Sequence, residues 1–302
     1  RTKEVELFTR KREHIHLNVK REELKDLQVV VKSGLVRSNA LLLSVGAQFN
    51  VGFAVEVLEW FRERLHLITG IVDRGGDYVP WTLRWAQESP INKKKLLKLL
   101  EIADLGIEDF EERLPPKDLD LAKLPEPIRA WISEALDKGE KLSFGVETLR
   151  PVFEKGEKVA QERFSLHGEE SAGTERFFGM AGPLLDSLEN SRVLLVDEFD
   201  ARLHPVLARH LLSLFLSRDT NPNNAQLVCS THNVKLMDKD LLRRDQIWFL
   251  EKDHYGAASL YSLADFKTDR VRKTDDFAAK YLAGRFGALP LVEESTSPLA
   301  DD

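Results

Sequence analysis

The segment that most constrains the fold is 191–200, Ser-Arg-Val-Leu-Leu-Val-Asp-Glu-Phe-Asp. Its four consecutive apolar residues, two of them β-branched, predict a short strand buried inside a parallel sheet. Asp197 and Glu198 follow directly, at the edge where such sheets collect their ligands. One carboxylate could hold a hydrated Mg²⁺, and the next could orient or deprotonate a water molecule. The alternative for this segment alone is a strand that runs into an ordinary acidic turn.

A helix start is predicted upstream of this strand. Glu169–Arg176 is small and polar, and residues 177–188 are apolar at helical spacing. Free backbone N–H groups and the positive end of a helix dipole bind phosphate oxygens, so Ser171 and Gly173 are candidate phosphate contacts. The alternative is a simple N-cap, provided by Ser171 or Thr174.

A second buried strand is predicted downstream, over 226–230, and His232 follows it. This histidine could contact a phosphate or an attacking water, and a structural, hydrogen-bonded histidine is the alternative. Ser171 precedes Asp197 by 26 residues, and Asp197 precedes His232 by 35. Each gap holds one helix and one connection, so the three residues are predicted to emerge at the same sheet edge.

At these positions the sequence resembles the heads of ABC-type ATPases, namely SMC-like proteins and the overcoming-lysogenisation-defect (OLD) class of bacterial ATPases. Four segments match the signature loop, Walker B, the D-loop and the switch histidine of those heads, in that order: Glu170–Thr174, Val193–Glu198, Asp200–Pro205 and Ser230–His232. The resemblance implies an α/β fold, a P-loop NTPase of ABC-ATPase head type. Such a fold has a parallel-sheet lobe, a helical insertion and antiparallel β-strands.

The resemblance also implies the cofactors, ATP and Mg²⁺, and a role for each site residue. Asp197 would hold Mg²⁺ through water, Glu198 would position or deprotonate the attacking water, and His232 would contact the γ-phosphate. Ser171 and Gly173 would reach the γ-phosphate bound by a second copy of the chain, across a two-fold interface. The other implied nucleotide-binding residues are Asp200 and Gln48, which is placed like the Q-loop glutamine.

The resemblance is strongest over 160–290. It is closest to the AAA-family ATP-binding proteins of bacterial abortive-infection and restriction-linked loci, whose closing segments look like 242–249 and 284–290. The sequence departs from the family pattern because no Gly-x-x-x-x-Gly-Lys-Ser/Thr occurs in its 302 residues. That loop cradles the phosphates and supplies a lysine and a hydroxyl to them and to Mg²⁺. The family carries it before the region corresponding to residue 1. We therefore expect an N-terminal piece of the first lobe to be absent and this chain alone not to hydrolyse ATP.

The chain is predicted to divide into four segments. Residues 1–50 are assigned to the remainder of the first ATPase lobe, β-rich and ending in the Q-loop. Residues 51–140 are assigned to the helical insertion, 141–290 to the second lobe with its four motifs, and 291–302 to a flexible tail.

Periodicity adds local predictions within these segments. Alternating apolar residues predict a polar-tipped hairpin over 3–20, antiparallel strands over 141–168 and a closing hairpin. Helical spacing predicts three helices in the insertion. The strands of the closing hairpin are 247–251 and 259–263. The three helices are 51–65, 92–105 and 126–138.

Charge and cysteine content limit the partners and the compartment. The net charge of −6 and the pI near 5.9 do not provide the basic footprint of a nucleic-acid-binding protein. Residues 1–40 carry ten Lys or Arg against six Asp or Glu, a local excess of four positive charges that leaves DNA contact open. A single cysteine, Cys229, and no stretch long enough to span a membrane predict a cytoplasmic protein.

Two alternatives to the ATPase remain open from the sequence. The first is a non-hydrolysing scaffold or sensor that uses the ATPase fold to recruit a nuclease or another effector. The second is an AAA+ ring motor with Asn233 as its sensor, a plan that has no place for a Ser-Ala-Gly-Thr signature before the acidic strand. The expected partners of the ATPase itself are a second copy of the chain and an effector nuclease.

Overall fold

The computed structural model describes residues 5–18, 22–69, 78–115, 120–138, 143–267 and 275–290. The strands are β1 Phe8–Lys11, β2 His14–Leu17, β3 Leu65–Ile68, β4 Asp109–Glu112, β5 Val146–Glu154, β6 Glu157–Ser165, β7 Val193–Val196, β8 Gln226–Cys229, β9 Trp248–Lys252 and β10 Ala258–Ser262. The α-helices are α1 Lys25–Lys32, α2 Leu42–Gln48, α3 Gly52–Arg64, α4 Tyr78–Glu88, α5 Pro90–Ile102, α6 Glu126–Asp137, α7 Ala172–Glu189, α8 Pro205–Leu216 and α9 Phe277–Leu282. The protein is therefore a mixed α/β chain.

A parallel sheet of order β3-β7-β8 carries the acidic segment at its centre. Leu67, Leu195 and Val228 lie in one register row across the three strands. The predicted strands 193–196 and 226–230 are confirmed as β7 and β8. Strand β3 lies within the segment predicted to be a helical insertion, so 51–140 is not purely helical. Strand β3 was not predicted because its four residues follow helix α3 without a break, so the pattern did not separate the two elements.

Helices α7 and α8 pack on one face of this sheet. Leu194 and Val196 are almost fully buried there, together with Leu184 of α7 and Leu211 of α8. The same hydrophobic cluster includes residues of α4 and α5, among them Trp85. The helices at 78–102 are thus part of the main core and do not form a separate helical lobe.

Close backbone approach joins α4 to α7. A Cβ atom built on Gly182 would lie 2.5 Å from Oγ1 of Thr82, so only glycine fits at this crossing. The Thr82 hydroxyl donates a hydrogen bond to the carbonyl of Gly179, 2.8 Å away, and accepts one from the N–H of Gly182. These contacts fix the long helix that leads into β7.

An antiparallel sheet of order β4-β5-β6 precedes α7. The predicted antiparallel strands within 141–168 are confirmed as β5 and β6. Strand β4, Asp109–Glu112, was not predicted, and it pairs with β5 across 33 residues or more of intervening chain. Such a distant partner leaves no local sequence signal.

The N-terminal region differs from its prediction. The hairpin within 3–20 is confirmed as β1 and β2, with a turn at Arg12 and Glu13. The description of 1–50 as β-rich is wrong beyond the hairpin, because 25–32 and 42–48 are helices. Both helices bury leucine and valine side chains in a second hydrophobic cluster, and Gly46 lies against Leu27 there.

The remaining local predictions agree with the structure. Helices 51–65, 92–105 and 126–138 correspond to α3, α5 and α6, and the closing hairpin corresponds to β9 and β10. The predicted flexible tail, 291–302, lies outside the described residues. In the described part of the chain no single helix is long and apolar enough to cross a membrane. Helices α2 and α3, bent by 107° at their junction, reach that length and apolar composition only together.

Candidate functional site

The carboxyl ends of β7 and β8 meet, as the spacing of the motifs predicted. The N–H of Ser230 donates to the carbonyl of Val196 over 3.0 Å, and the N–H of Phe199 donates to the carbonyl of Ser230 over 3.0 Å. On the other side, the N–H of Asp197 donates to the carbonyl of Ile68 over 2.8 Å. Because the strands are parallel, His232 follows β8 at the same edge at which the two carboxylates follow β7.

The turn after β7 points its acids outward. Phe199 is fully buried and anchors the turn, whereas Asp197 and Glu198 on its amino side are exposed. Glu198 has a φ of +50°, in the left-handed region that side-chain-bearing residues avoid. Strained backbone of this kind is held by surrounding contacts and is common at functional sites.

Two hydroxyls from the end of β8 hold this turn. The Ser230 hydroxyl donates to Oδ1 of Asp197 over 2.5 Å and accepts the N–H of Glu198 over 2.9 Å. The Thr231 hydroxyl donates to Oδ1 of Asp200 over 2.5 Å. These two residues were not assigned roles from the sequence. The sequence did contain a signal for these roles, because two hydroxyl residues lie directly between a buried strand and His232.

Ser171 caps helix α7. Its Oγ accepts the N–H of Thr174 over 3.1 Å and lies 2.9 Å from the Thr174 hydroxyl oxygen. The N-cap alternative is therefore confirmed for Ser171, while Thr174 is a buried residue of the first turn. Ser171 is nevertheless exposed, so it lies at the positive end of an 18-residue helix in contact with solvent.

Helix α7 begins next to the acidic turn. A Cβ atom on Gly173 would lie 2.8 Å from the carbonyl oxygen of Arg202, so glycine is required where the helix meets the 200–205 loop. Nη2 of Arg176 lies 3.5 Å from the carbonyl oxygen of Asp197 and 3.4 Å from that of Glu198. Burial lowers the pKa of the Arg176 guanidinium. The predicted signature loop and the acidic turn thus form one continuous edge.

Arg176 was not singled out from the sequence. It lies one helical turn beyond Gly173, and this spacing places both residues toward the acidic turn. Gln48, in contrast, is an exposed residue at the end of α2, which packs against α1 and α3. These contacts do not test its placement beside the edge formed by β7 and β8, so its Q-loop assignment stays a prediction.

The donor set fits a magnesium ion that keeps most of its water. Among the described residues no group of three or more His, Cys, Asp or Glu side chains could hold a metal ion. Asp197 presents one carboxylate, of which Oδ1 is hydrogen-bonded to Ser230 and Oδ2 is left for a ligand. Mg²⁺ is commonly bound by one or two carboxylates together with substrate phosphates, whereas structural zinc requires several protein ligands.

The fold and this edge define a class of protein. A parallel sheet whose central strand ends in Asp-Glu and whose neighbour ends in Ser-Thr-His is the arrangement of P-loop-type ATPases. The sequence model of a family described as "AAA domain, putative AbiEii toxin, Type IV TA system" matches residues 86–238, half of the chain. The chain belongs to this AAA family, whose members in general are nucleotide-binding ATPases that use ATP and Mg²⁺. No curated protein matches the chain.

Proposed function

We propose that this chain supplies the signature, Walker B and switch elements of an ABC-type ATPase, and that the intact protein is a nucleotide-gated dimeric switch in bacterial defence. The observation that carries the proposal is the common edge. Two exposed carboxylates, Asp197 and Glu198, lie beside the strand end that carries His232, and the N-terminus of α7 at Ser171 adjoins them. The family match supports the reaction class.

Each residue has a role that its surroundings suit. Asp197 holds Mg²⁺ through water with the oxygen that Ser230 leaves free. Mg²⁺ bound with ATP neutralises charge on the phosphates. Glu198 is exposed and carries a carboxylate next to that residue, so it orients the attacking water or accepts its proton. His232 donates a hydrogen bond to a γ-phosphate oxygen.

The exposed start of α7 serves a second copy of the chain. Ser171 and Gly173 present a hydroxyl and backbone N–H groups at the positive end of a long helix. They lie on the same edge as the acidic turn, so a two-fold arrangement of two edges would bring each helix start to the phosphates held by the other copy. The ATPase site is then complete only in the dimer.

The parallel sheet supports the expectation that a phosphate-binding segment completes the first lobe. Leu67 and Val228 are each 57% exposed, on the face opposite α7 and α8. In the described chain no strand pairs with the outer edge of β3 or of β8. Parallel sheets are covered on both faces in folded proteins. We propose that a strand and helix carrying the Gly-x-x-x-x-Gly-Lys-Ser/Thr loop extend this sheet at one of its edges and cover this face.

Glu198→Gln tests the proposed chemistry in the protein that carries its phosphate-binding loop. ATP turnover should fall by about 100-fold or more, because a general base or water-orienting group is lost. ATP should stay bound and the dimer should persist longer in size-exclusion chromatography. Asp219→Asn is the matched control, since Asp219 is an exposed acid in the loop that precedes β8. Unchanged turnover in Glu198→Gln would remove Glu198 from its role.

Isothermal titration calorimetry on the 302-residue chain tests the proposed missing loop. We expect ATP with Mg²⁺ to give little heat, because the carboxylates alone cannot cradle the β-phosphate. Tight binding by this chain would contradict the proposal that the phosphate loop lies elsewhere.

The second candidate function is a non-hydrolysing scaffold that recruits a nuclease. Its basis is conditional: an edge of this kind could bind a partner, but without a Gly-x-x-x-x-Gly-Lys-Ser/Thr loop it would not cradle ATP. A scaffold predicts that Glu198→Gln and Asp197→Asn leave defence intact while the fold is preserved. Infection assays with both variants therefore separate the two functions.

A further inference from the structure

The carboxylate of Glu170, the residue before the helix cap Ser171, is buried in an ion pair. Its side chain is only 5% exposed. Oε1 accepts hydrogen bonds from the Thr148 hydroxyl over 2.6 Å and from Nε of Arg150 over 2.8 Å. Oε2 accepts from Nη2 of Arg150 over 2.6 Å. Both donors belong to β5, so a two-pronged contact ties the start of α7 to the antiparallel sheet.

The pair is costly to bury and therefore demands good geometry. Burial alone would raise the pKa of the Glu170 carboxyl, but the hydrogen bonds from Arg150 and Thr148 outweigh burial and lower that pKa. The Glu170 hydrogen bond likewise raises the pKa of Arg150. Buried ion pairs are weak sources of stability, and their best use is to select one geometry.

Arg150 itself is held on two further sides. A Cβ atom on Gly106 would lie 2.9 Å from Nη1 of Arg150, so the loop after α5 leaves just enough room for the guanidinium. The guanidinium also lies over the ring of Phe164 in β6, 5.8 Å from its centre. A displacement of β5 would therefore move Arg150, and with it Glu170.

Backbone hydrogen bonds constrain the short connection between β6 and α7. The N–H groups of Glu169 and Glu170 both donate to the carbonyl of Ser165, over 3.3 and 3.2 Å. The N–H of Leu166 donates to the carbonyl of Val146 over 2.8 Å. Because these hydrogen bonds leave the connection few alternative conformations, a shift of the sheet is expected to displace Ser171 as well.

We infer that Glu170 is a positioning residue and that its pair with Arg150 transmits the position of the β4-β5-β6 sheet to Ser171. The sheet thereby controls whether the start of α7 can engage the phosphates of a second copy. The inference rests on the proposed function, because Ser171 matters only if it contacts a nucleotide across the dimer. Glu170 touches neither nucleotide nor water in this role and acts through Ser171.

Hydrogen–deuterium exchange on the 302-residue chain tests the positioning without any nucleotide. In Glu170→Gln, the amides of residues 171–176 should exchange at least about threefold faster than in the unchanged chain, because the loop gains freedom. Glu111→Gln is the matched control. It disrupts an exposed ion pair of the same sheet, 3.0 Å from Arg163, and should leave exchange at 171–176 unchanged.

Two milder variants keep the test valid if Glu170→Gln does not fold. Arg150→Lys retains the charge but loses the forked contact, and Thr148→Val removes one donor without changing the volume. Each should accelerate exchange at 171–176, by less than Glu170→Gln would. Unchanged exchange there in both variants would overturn the inference.

Turnover separates this inference from the proposed function. In the protein with its phosphate-binding loop, Arg150→Lys should raise the ATP concentration for half-maximal dimerisation about tenfold and change the turnover of the saturated dimer little. If Glu198→Gln retains full turnover, the proposed function fails whatever the exchange shows. If Glu198→Gln is inactive but Arg150→Lys shifts neither dimerisation nor exchange, the inference alone fails.

Discussion

The two ends of the parallel sheet handle charge in opposite ways. At the carboxyl end, the carboxylates of Asp197 and Asp200 accept hydrogen bonds from neutral hydroxyls. Among the described residues neither these two nor the exposed Glu198 forms an ion pair. Arg176 lies nearby but directs its guanidinium at backbone carbonyls. The negative charge at this end is therefore not paired with a cationic side chain of the described chain.

At the amino end the charges neutralise one another inside the protein. The Asp186 side chain is 7% exposed, and its Oδ2 lies 3.0 Å from Nε of Arg192. Nδ1 of His66 lies 3.7 Å from the same oxygen, and the Asn190 amide donates to Oδ1 over 2.6 Å. Burial and the Arg192 charge lower the pKa of His66, against the opposing effect of Asp186.

The difference separates stability from chemistry. A buried network of paired charges makes each member essential to folding, because removing one partner leaves another charge uncompensated. Exposed carboxylates that lack a cation contribute little to folding and remain available for binding. We therefore expect substitutions at the amino end to change unfolding and substitutions at the carboxyl end to change ligand-dependent properties.

The largest effect is expected for Asp186→Asn. The substitution leaves the partly buried Arg192 without its counter-charge, and the free energy of unfolding should fall by about 3 kcal/mol. Urea denaturation followed by circular dichroism measures this loss. The control is Asp197→Asn, the same chemical change at the other end, which should alter the free energy by no more than about 0.5 kcal/mol. Equal losses in both variants would erase the contrast between the ends.

Cys229 reports on the charge of the carboxyl end. Burial, followed by the Asp200 carboxylate, raises the pKa of its thiol to about 11. Its thiolate fraction at pH 8 should then be about two orders of magnitude below that of an unperturbed thiol with a pKa near 8.5. Alkylation by iodoacetamide, followed by mass spectrometry, should be correspondingly slow, and faster in Asp200→Asn. Equal rates in the two chains would mean that burial alone, without the Asp200 charge, suppresses the reactivity of Cys229.

Sequence reasoning located the edge but not what holds it together. The positions of Asp197, His232 and Ser171 followed from strand hydrophobicity and from gaps of one helix each, because such gaps return the chain to the same side of a sheet. The roles of Ser230 and Arg176 depend on hydrogen bonds between elements, which a local pattern does not encode.

The same limit explains the misassigned elements. Strand β3 and strand β4 are four residues long, and each exists because a distant strand pairs with it. The pairing of Arg150 with Glu170 joins β5 to α7 across 20 residues. Helix α2 contains an apolar run that suits a strand as well as a buried helix, and in the structure it packs against α3.

Ser230→Ala should have an intermediate effect, both on the stability of the fold and on the Mg²⁺ dependence of turnover. The variant loses the hydroxyl that holds Asp197 and the N–H of Glu198, and we expect about 1 kcal/mol less stability. In the protein with its phosphate-binding loop, the Mg²⁺ concentration for half-maximal turnover should rise. Ser213→Ala is the control: it removes a hydroxyl that donates to the carbonyl of His210 inside α8, so it should lose stability with no change in Mg²⁺ dependence. A Mg²⁺ dependence altered equally by both would show that the hydroxyl acts on the fold alone.

The smallest effect is a pH dependence at the amino end. Because the folded-state pKa of His66 lies below its ordinary value of 6.5, the unfolded chain binds a proton more readily than the folded chain. Stability should therefore decrease as the pH falls from 6.5 toward the folded-state pKa, where His66 would gain charge beside Arg192. In His66→Gln this part of the decrease should disappear, as measured by urea midpoints between pH 5 and about 7. The control is His14→Gln, a change at an exposed histidine of the first hairpin, which should retain the decrease. If His66→Gln and the unchanged chain lose stability in parallel, Asp186 compensates the proton fully, and the network at this end is more tolerant of charge than its burial implies.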